Sequence, residues 1–401
     1  MSTATTVAKK GIDDIEVGGR RVLLRVDFNV PMEGDRIVDD RRIRAALPTI
    51  EALRERGGRV VVVTHFGRPK GRVDDALRVA PLAKRLGELL GITVPVAADS
   101  GGEASRALVD SLCRGDVCML ENIRFDPEEE SNGDRLAGRL AALADVYVND
   151  AFGAAHRAHA STEGVAHRLP AVAGRLMQRE LEMLGSVLGS PQRPLVAIVG
   201  GAKISSKLGV VRSLLSRVDT LWVGGAMACT FYRALGEETG TSLVEPDQVD
   251  TAMSLLEASR SGGADLRLPV DMVVVAEPKP GAATEAVAWK AIPVDRMAVD
   301  VGPDTVRQMA ESCAGAGTIV WNGPLGIYEI ADFARGTRAV AEAVASSGAT
   351  SIIGGGDLAA ALDTLGVADR ITHVSTGGGA TLEFLEGRTL PGVAALLDRD
   401  S

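Results

Sequence analysis

Two kinds of chemistry-bearing segment recur in the 401-residue chain. In the first half, arginine and histidine gather in Asp27-Phe28-Asn29, Thr64-His65-Phe66-Gly67-Arg68, Glu121-Asn122-Ile123-Arg124, and Asn149-Asp150-Ala151-Phe152-Gly153 leading to His156-Arg157-Ala158-His159. A guanidinium presents a planar fork that meets phosphate or carboxylate bidentately, so several together suit a small polyanion bearing both groups. In the second half glycine takes over, in Gly200-Gly201-Ala202-Lys203, Gly224-Gly225-Ala226, Gly354-Gly355-Gly356-Asp357 and Thr376-Gly377-Gly378-Gly379. Glycine lets the backbone approach a phosphate, and a helix that follows offers unpaired N–H groups and a positive dipole end. One half therefore reads as built for a small acid, the other for a nucleotide.

Plainer readings compete with each segment. A glycine pair after a strand is usually only a turn, but four such loops in one half favour a ligand. His156 and His159 could share a helix face and bind metal, yet no carboxylate or cysteine partner stands near them in sequence. His65 could be a structural histidine; its place beside Arg68, after four valines, makes it a ligand candidate as well. Asp27 and Asn29 could simply make a turn. Residues 200–207 lack the second glycine of a GxxxxGK[ST] phosphate loop, which excludes a P-loop enzyme. Residues 354–359 satisfy GxGxxA, but Asp357 inside that match would repel a dinucleotide pyrophosphate unless a cation intervened. The aspartate points instead to a magnesium-bound nucleotide.

These segments follow short apolar, β-branched runs: Val22–Val26, Val60–Val63, Val117–Leu120, Val146–Val148, Leu195–Val199, Thr220–Val223, Met272–Val275, Thr318–Val320, Ser351–Ile353 and His373–Ser375. Such runs suit strands covered on both faces, and their alternation with helical patterns implies parallel sheets of βαβ units. Ligands bind beyond the carboxyl ends of such strands, where the segments above fall. A helix is predicted over Pro48–Arg56, with Pro48 in its first turn and Gly57-Gly58 beyond its end. Lys203 and Lys207, four apart, are expected at the start of another helix, pointing toward one anion. An amphipathic helix near 176–190 separates the halves. The predicted fold is α/β, with two Rossmann-like, doubly wound parallel-sheet domains joined by this interdomain helix. The substrate domain covers 1–175, the nucleotide domain 191–385, and residues 386–401 are expected to pack back near the first domain.

Bulk properties agree with two soluble domains, since a single core rarely serves 401 residues. Hydrophobic residues make up 46% and charged residues 24%, which argues against disorder. A net charge of −9 argues against nucleic-acid or membrane-surface partners, which are polyanions themselves. Yet 23 of the 36 arginines precede residue 180, a bias consistent with an anion site in the first half. Cys113, Cys118, Cys229 and Cys313 form no CxxC pair and read as reduced, buried thiols of a cytoplasmic protein. No leader-like apolar segment opens the chain, and no run approaches the roughly 18 to 20 apolar residues of a membrane span.

Taken together, the motifs resemble the phosphoglycerate kinase family. Arg25-Val26-Asp27-Phe28-Asn29-Val30-Pro31, His65-Phe66-Gly67-Arg68-Pro69, Glu121-Asn122-Ile123-Arg124-Phe125 and the 150–159 segment carry the likeness in the first half. Gly200-Gly201-Ala202-Lys203, Asp300-Val301-Gly302-Pro303, Val320-Trp321-Asn322-Gly323-Pro324-Leu325-Gly326, Gly354-Gly355-Gly356-Asp357 and Ser375-Thr376-Gly377-Gly378-Gly379-Ala380 carry it in the second. The resemblance implies 3-phosphoglycerate on the N-terminal domain, Mg2+ with ADP or ATP on the C-terminal one, and reversible transfer from 1,3-bisphosphoglycerate to ADP after hinge closure, by a monomer. It assigns the substrate to Asp27, Asn29, Arg42, His65, Arg68, Arg124 and Arg157. Arg42 and Lys203 would stand at the transferring phosphoryl group, with Arg41 and Arg44 flanking the former in sequence. The nucleotide would meet Gly200, Gly201, Lys203, Lys207, Gly224, Gly354, Gly355 and Gly356, its ribose Glu329, and the magnesium Asp357. Leu358 departs from the family's usual Thr or Ser, and Ala226 from its common Gly; Tyr328 and Phe66 are apolar swaps. Three alternatives stay open: another carboxylate or acyl-phosphate kinase, a binding protein that has lost catalysis, and an NAD-dependent oxidoreductase.

Overall fold

A computed structural model describes residues 8–399; the first seven residues of the expected N-terminal domain and the last two of the C-terminal segment lie outside the described residues. The chain divides into two compact units, one ending at Glu182 and resuming at Thr389, the other spanning Met183–Arg388.

The first unit is built on a parallel sheet of β1 (Arg21–Arg25), β4 (Arg59–Val63), β5 (Val117–Met119), β6 (Val146–Asn149) and β7 (Ala171–Ala173), in spatial order β5-β4-β1-β6-β7. Between β1 and β4 lie a two-stranded hairpin, β2 (Met32–Glu33) with β3 (Arg36–Ile37), and the helix α1 (Arg41–Glu55). Helices α2 (Ala80–Leu90), α3 (Glu103–Asp110) and α4 (Asp134–Ala142) connect the later strands, and α5 (Arg175–Leu188) runs across the division between units. The chain starts in the middle of the sheet, winds outward through β4 and β5, then returns to β6 on the other side of β1. That reversal is a topological switch point, where a crevice opens at the strands' carboxyl ends. After Thr389, the short helix α13 (Pro391–Ala394) lies in this unit, with Gly392 N donating to Ala155 O and Leu397 N to Ala171 O.

The second unit repeats the plan. Strands β8 (Leu195–Val199), β9 (Thr220–Val223), β10 (Asp265–Arg267), β14 (Thr318–Asn322), β15 (Thr350–Gly354) and β16 (His373–Val374) form a parallel sheet in the order β10-β9-β8-β14-β15-β16, reversing between β8 and β14. Helices α6 (Leu208–Leu215), α7 (Met227–Ala234), α8 (Val249–Arg260), α9 (Pro303–Ala314), α10 (Arg335–Ser346), α11 (Gly356–Thr364) and α12 (Gly379–Leu385) surround it. The apolar run at Met272–Val275 does not join that parallel sheet as expected. It lies in β11 (Asp271–Val275), the centre of an antiparallel sheet with β12 (Glu285–Ala288) and β13 (Met297–Val301). Two buried clusters form on it: Met272 and Val274 pack with Tyr232 and Ile292 in one, and Val275 with Phe333 in another.

The helix predicted from Pro48 begins seven residues earlier. Asp39 Oδ1 accepts from Arg41 N at 2.9 Å, and the Asp40 carbonyl accepts from Ile43 and Arg44, so the acidic pair starts α1. Pro48 then sits mid-helix, where it deprives the Arg44 carbonyl of its usual donor. Burial of Ile43, Ala46, Ile50 and Leu53 along one face offsets that loss. Gly57, at φ +74°, ends the helix with its N–H on Arg54 O.

Candidate active site

In the first unit the predicted acid-binding residues converge at the carboxyl ends of the strands. Asp27 and Asn29 follow β1, His65 and Arg68 follow β4, Arg124 follows β5, and Arg157 follows β6. Arg42, from the first turn of α1, donates to Asp27 Oδ2 at 2.9 Å. Its neighbours are engaged elsewhere, Arg41 with Asp39 and Arg44 with Asp40, so among the three only Arg42 reaches the cluster. Asp27 Oδ1 accepts from Asn29 N at 3.2 Å, and Asn29 Oδ1 in turn accepts from Gly67 N at 2.9 Å, which ties the β1 loop to the β4 loop. The turn reading of Asp27 and Asn29 is thus correct locally, and it is also what aims them. Arg124 is buried, donates to Gly67 O at 2.7 Å, and has Nε 3.1 Å from Glu130 Oε1. Arg68 and Arg157 are exposed; among the described residues Arg68 makes no side-chain hydrogen bond or ion pair.

The electrostatics favour an incoming anion. Burial lowers the Arg124 pKa, and the charges of Arg25 and Arg157 lower it further against the opposing pull of Glu130 and Glu129. Burial disfavours the Asp27 carboxylate, but His65, Arg42, Arg25 and the Asn29 N–H hold its pKa below the ordinary range. His65 is pushed well down by burial, with Asp27 opposing and Arg25, Arg124 and Arg42 adding to the shift. His159 is pushed down to about 4, by burial first and then by Arg25 and its cationic neighbours. It and His156 lie beyond the one-turn helix Phe152–Ala154, not on a helix face together. Among the described residues no group of three or more His, Cys, Asp or Glu could hold a metal.

In the second unit the glycine loops meet at the switch point. Gly200 N donates to Asn322 O at 2.8 Å, joining the ends of β8 and β14. A cavity of about 300 Å³ opens there, lined by Lys203, Ser206, Lys207, Asn322, Gly355 and Asp357 among others. A second, of about 500 Å³, shares Gly201, Ala202, Pro324 and Asp357 with it. Its walls are mostly apolar, from Leu243, Met272, Met297, Val299 and Ile327, with Tyr328 and Glu329 at hand. A small cationic cavity continuous with a larger apolar one suits a phosphate tail and a base with its ribose. Asp300, the buried acid of the larger cavity, is pushed up to about 7 by burial, although the N–H groups of Gly336, Val301 and Thr337 oppose the shift.

The two lysines differ in setting, and they do not share a helix as expected. Helix α6 starts only at Leu208, leaving Lys203 exposed in the preceding turn and Lys207 as the half-buried N-cap residue. The Lys207 ammonium bonds Asn322 Oδ1; burial lowers its pKa while Asp357 opposes. Asp357 is exposed in the first turn of α11, behind Gly355 at φ +100°. Leu358 packs in the core with Ile353 and Leu362, so the side chain replacing the family's hydroxyl belongs mainly to the interior.

The glycines divide by cause. Gly200 and Gly225 are required by the protein itself: a Cβ on Gly200 would meet the Pro324 carbonyl oxygen at 2.3 Å and one on Gly225 the Gly201 backbone at 2.6 Å, whereas one on Gly224 would meet only the end of the Leu325 side chain. Gly356 faces open space, with nothing within 4 Å of such a Cβ. Asn322 and Arg25 were not singled out from sequence. The signal was present in both cases, a polar side chain closing a strand after three consecutive apolar residues. Cys113 is exposed, against expectation, while the other three cysteines are buried and all four are free.

Comparison with known proteins bears on family and fold. The family model described as phosphoglycerate kinase matches residues 12–388. Phosphoglycerate kinases of Pelotomaculum thermopropionicum and Moorella thermoacetica are 56% and 54% identical over 393 residues, 98% of this chain and 100% of theirs. Among solved structures, the phosphoglycerate kinase of Coxiella burnetii superposes with a TM-score of 0.88 at 42% identity, covering 96% of this chain and 98% of that one. That of Pyrococcus horikoshii gives 0.86 at 34% identity, with the same coverage. Sequence and fold agree, and the chain belongs to the phosphoglycerate kinase family.

Proposed function

We propose that the protein catalyses the reversible transfer of the acyl phosphate of 1,3-bisphosphoglycerate to ADP, giving 3-phosphoglycerate and ATP. The observation that carries this reading is the division of labour between the units. One gathers Arg42, His65, Arg68, Arg124 and Arg157 beyond a sheet's carboxyl edge, and the other pairs a cationic cavity with an apolar one. Arg68, Arg124 and Arg157 would grip the distal phosphate of the acid, while Asp27 and Asn29 orient its hydroxyl and carboxyl end. Gly200, Gly201, Gly224 and Gly354–356 would take the nucleotide backbone, and Glu329 its ribose.

In the transfer step an oxygen of the ADP β-phosphate attacks the phosphorus, the bond from phosphorus to the carboxyl oxygen breaks, and the carboxylate leaves with the electron pair. The attacking oxygen is already ionised and the departing carboxylate is stable without a proton, so no general base or acid is needed. What the protein must supply is positive charge where the equatorial oxygens develop negative charge. Arg42 and Lys203 fill that role, brought together as the two units close around their ligands and exclude water.

Magnesium fits the second unit. Asp357 is the single carboxylate in the smaller cavity, and a nucleotide-bound magnesium typically takes one or two carboxylates plus phosphate oxygens and waters. Asp357 would hold the ion or its waters, and the ion would neutralise phosphate charge. The reading also includes a monomeric, cytoplasmic enzyme; four free cysteines support the compartment, and no helix among the described residues is long and apolar enough to cross a membrane.

Purified protein should phosphorylate 3-phosphoglycerate from ATP and magnesium, measured as coupled ADP release. Acetate or another simple carboxylate should give a rate at least about 10³-fold lower, since it lacks the phosphate that the arginines bind. Equal rates with both acids would replace this reading with a general carboxylate kinase, and no turnover with either would leave a binding protein.

A further inference from the structure

Arg25 closes β1 after the apolar run Val22-Leu23-Leu24, is 1% exposed, and stands two positions before the first residue assigned to the acid. Each of its three nitrogens has a hydrogen-bond partner. Nε donates to Ser161 Oγ at 2.8 Å, Nη1 to the Val26 carbonyl, and Nη2 to His65 Nδ1 at 3.1 Å. Glu129, completely buried, accepts from Ser161 Oγ at 2.6 Å and Ser161 N at 2.9 Å, with its Oε1 4.0 Å from Arg25 Nη2. A buried cation and a buried anion are thus balanced through one serine, immediately beneath His65.

The chemistry of that contact fixes a proton. A guanidinium has five N–H donors and no acceptor, so the His65 Nδ1 that meets it must carry a lone pair. In neutral imidazole the proton is then on Nε2. That nitrogen lies 3.9 Å from Asp27 Oδ1, beyond hydrogen-bond distance, and Asp27 is already engaged by Arg42 and by the Asn29 N–H. A second proton on Nδ1 would have to point at Arg25. The charged groups facing His65 are Arg25, Arg124 and Arg42, which all oppose the imidazolium, and Asp27, which alone favours it.

We propose that Arg25 is a positioning residue: its hydrogen bond to Nδ1 locks His65 as the neutral Nε2–H tautomer, so that His65 offers the acid a fixed N–H donor instead of a titrating charge. What the donor meets rests on the substrate reading above; the tautomer does not. A purely structural Arg25 would tie β1 to the segment around Ser161 and leave the protonation of His65 indifferent to its replacement.

Long-range 1H–15N NMR of the full-length labelled protein tests this, with His65→Gln identifying the resonance among five histidines. His65 should show the neutral Nε2–H tautomer from pH 5 to pH 8. An Nδ1–H tautomer, or an imidazolium appearing in that range, would overturn the proposal without any Arg25 variant being made. The second arm is Arg25→Met combined with Glu129→Gln, which removes the buried charges together and leaves neither unpaired. In that protein His65 should titrate toward its ordinary value of about 6.5, with mixed tautomers. The KM for 3-phosphoglycerate should acquire a pH dependence between 5 and 8 while kcat changes less. Arg25→Lys, which keeps a donor and a charge, should restore one tautomer. If the folded double variant keeps the Nε2–H tautomer and a flat profile, Arg25 does not set it. A changed tautomer with an unchanged KM would uphold the role of Arg25 and remove His65 from the acid site.

Discussion

A Cβ atom on Gly200 would stand 2.3 Å from the carbonyl oxygen of Pro324, and 2.7 Å from that of Gly323. The loops after β8 and β14 therefore close on each other through bare backbone, and no flexible side chain can yield. Gly200→Ala should cost about 1–3 kcal/mol in urea unfolding, as overpacking of a tight contact does. It should also raise the KM for ATP, because Gly323 and Pro324 line the smaller cavity. Gly356→Ala is the contrast: its Cβ enters open space in the first turn of a helix, where alanine is favoured over glycine by about 1 kcal/mol. That variant should be at least as stable as the parent. Any rise in its KM for ATP then reports the ligand's own approach to the backbone, and equal destabilisation of both variants would refute the distinction.

Asp150 supplies a pH dependence of stability. Oδ1 accepts from Met177 N at 3.1 Å at the start of α5, Oδ2 is buried without a partner, and burial pushes the pKa up to about 6. The unfolded carboxyl titrates near its ordinary 3.8. Between about pH 4 and pH 6 the folded chain therefore holds a proton that the unfolded chain has released. Stability from this group is greatest at the acid end and falls as pH rises, by at most about 1.4 kcal/mol per pH unit. Asp150→Asn lacks the titration, so its stability relative to the parent should improve by about 2–3 kcal/mol between pH 4 and pH 7. Any fixed cost of the amide appears equally at both pH values. A constant difference across that range would mean that Asp150 ionises normally in the fold.

The parallel sheets and their strand-end residues were legible because continuous valine-rich runs have few other uses, and the residues after them fall where open sheets bind ligands. The strand Met297–Val301 was missed because Asp300 interrupts its apolar pattern; that carboxylate is satisfied by Gly336 N, a contact only the folded chain creates. The antiparallel placement of β11 was hidden for a related reason, since Met272–Val275 has the same composition as a parallel strand and differs only in its neighbours. In the site, local sequence could not separate Arg41, Arg42 and Arg44. Their partners do, because Asp39 and Asp40 hold the outer two and Asp27, from a different strand end, meets the middle one.

That separation makes a prediction. Arg41→Ala and Arg44→Ala remove exposed ion pairs, worth roughly 0–1 kcal/mol, and should leave kcat within about twofold. Arg42→Ala removes the cation proposed at the migrating phosphoryl group and should lower kcat by about 10²-fold or more, in line with the loss of one preorganised donor. It also frees Asp27 from its guanidinium, so the Asp27 pKa should rise from its depressed position. Comparable kcat losses in all three variants would point to a diffuse basic surface.

The two lysines of the nucleotide cavity should separate binding from transfer. Lys207 is half-buried, held on Asn322 Oδ1 and within the field of Asp357, so its ammonium is in place before any ligand arrives. Lys203 is exposed in the turn before α6, lines the same cavity, and makes no side-chain hydrogen bond or ion pair among the described residues. A cation fixed in the ground state contributes to binding substrate and transition state alike, whereas one that engages only as the units close acts on the transition state. Lys207→Ala should therefore raise the KM for ATP by about tenfold or more, with a smaller change in kcat. It also leaves Asn322 buried without its partner, so a stability loss of about 1–3 kcal/mol should accompany it. Lys203→Ala should lower kcat by about 10²-fold with little change in KM and no measurable change in stability, because nothing in the fold depends on its side chain. Single-turnover transfer with saturating ATP reads the chemical step directly. A near-normal rate in Lys203→Ala would reduce that residue to a solvated lysine beside a helix start, and would leave Arg42 as the one cation assigned to the phosphoryl group in flight.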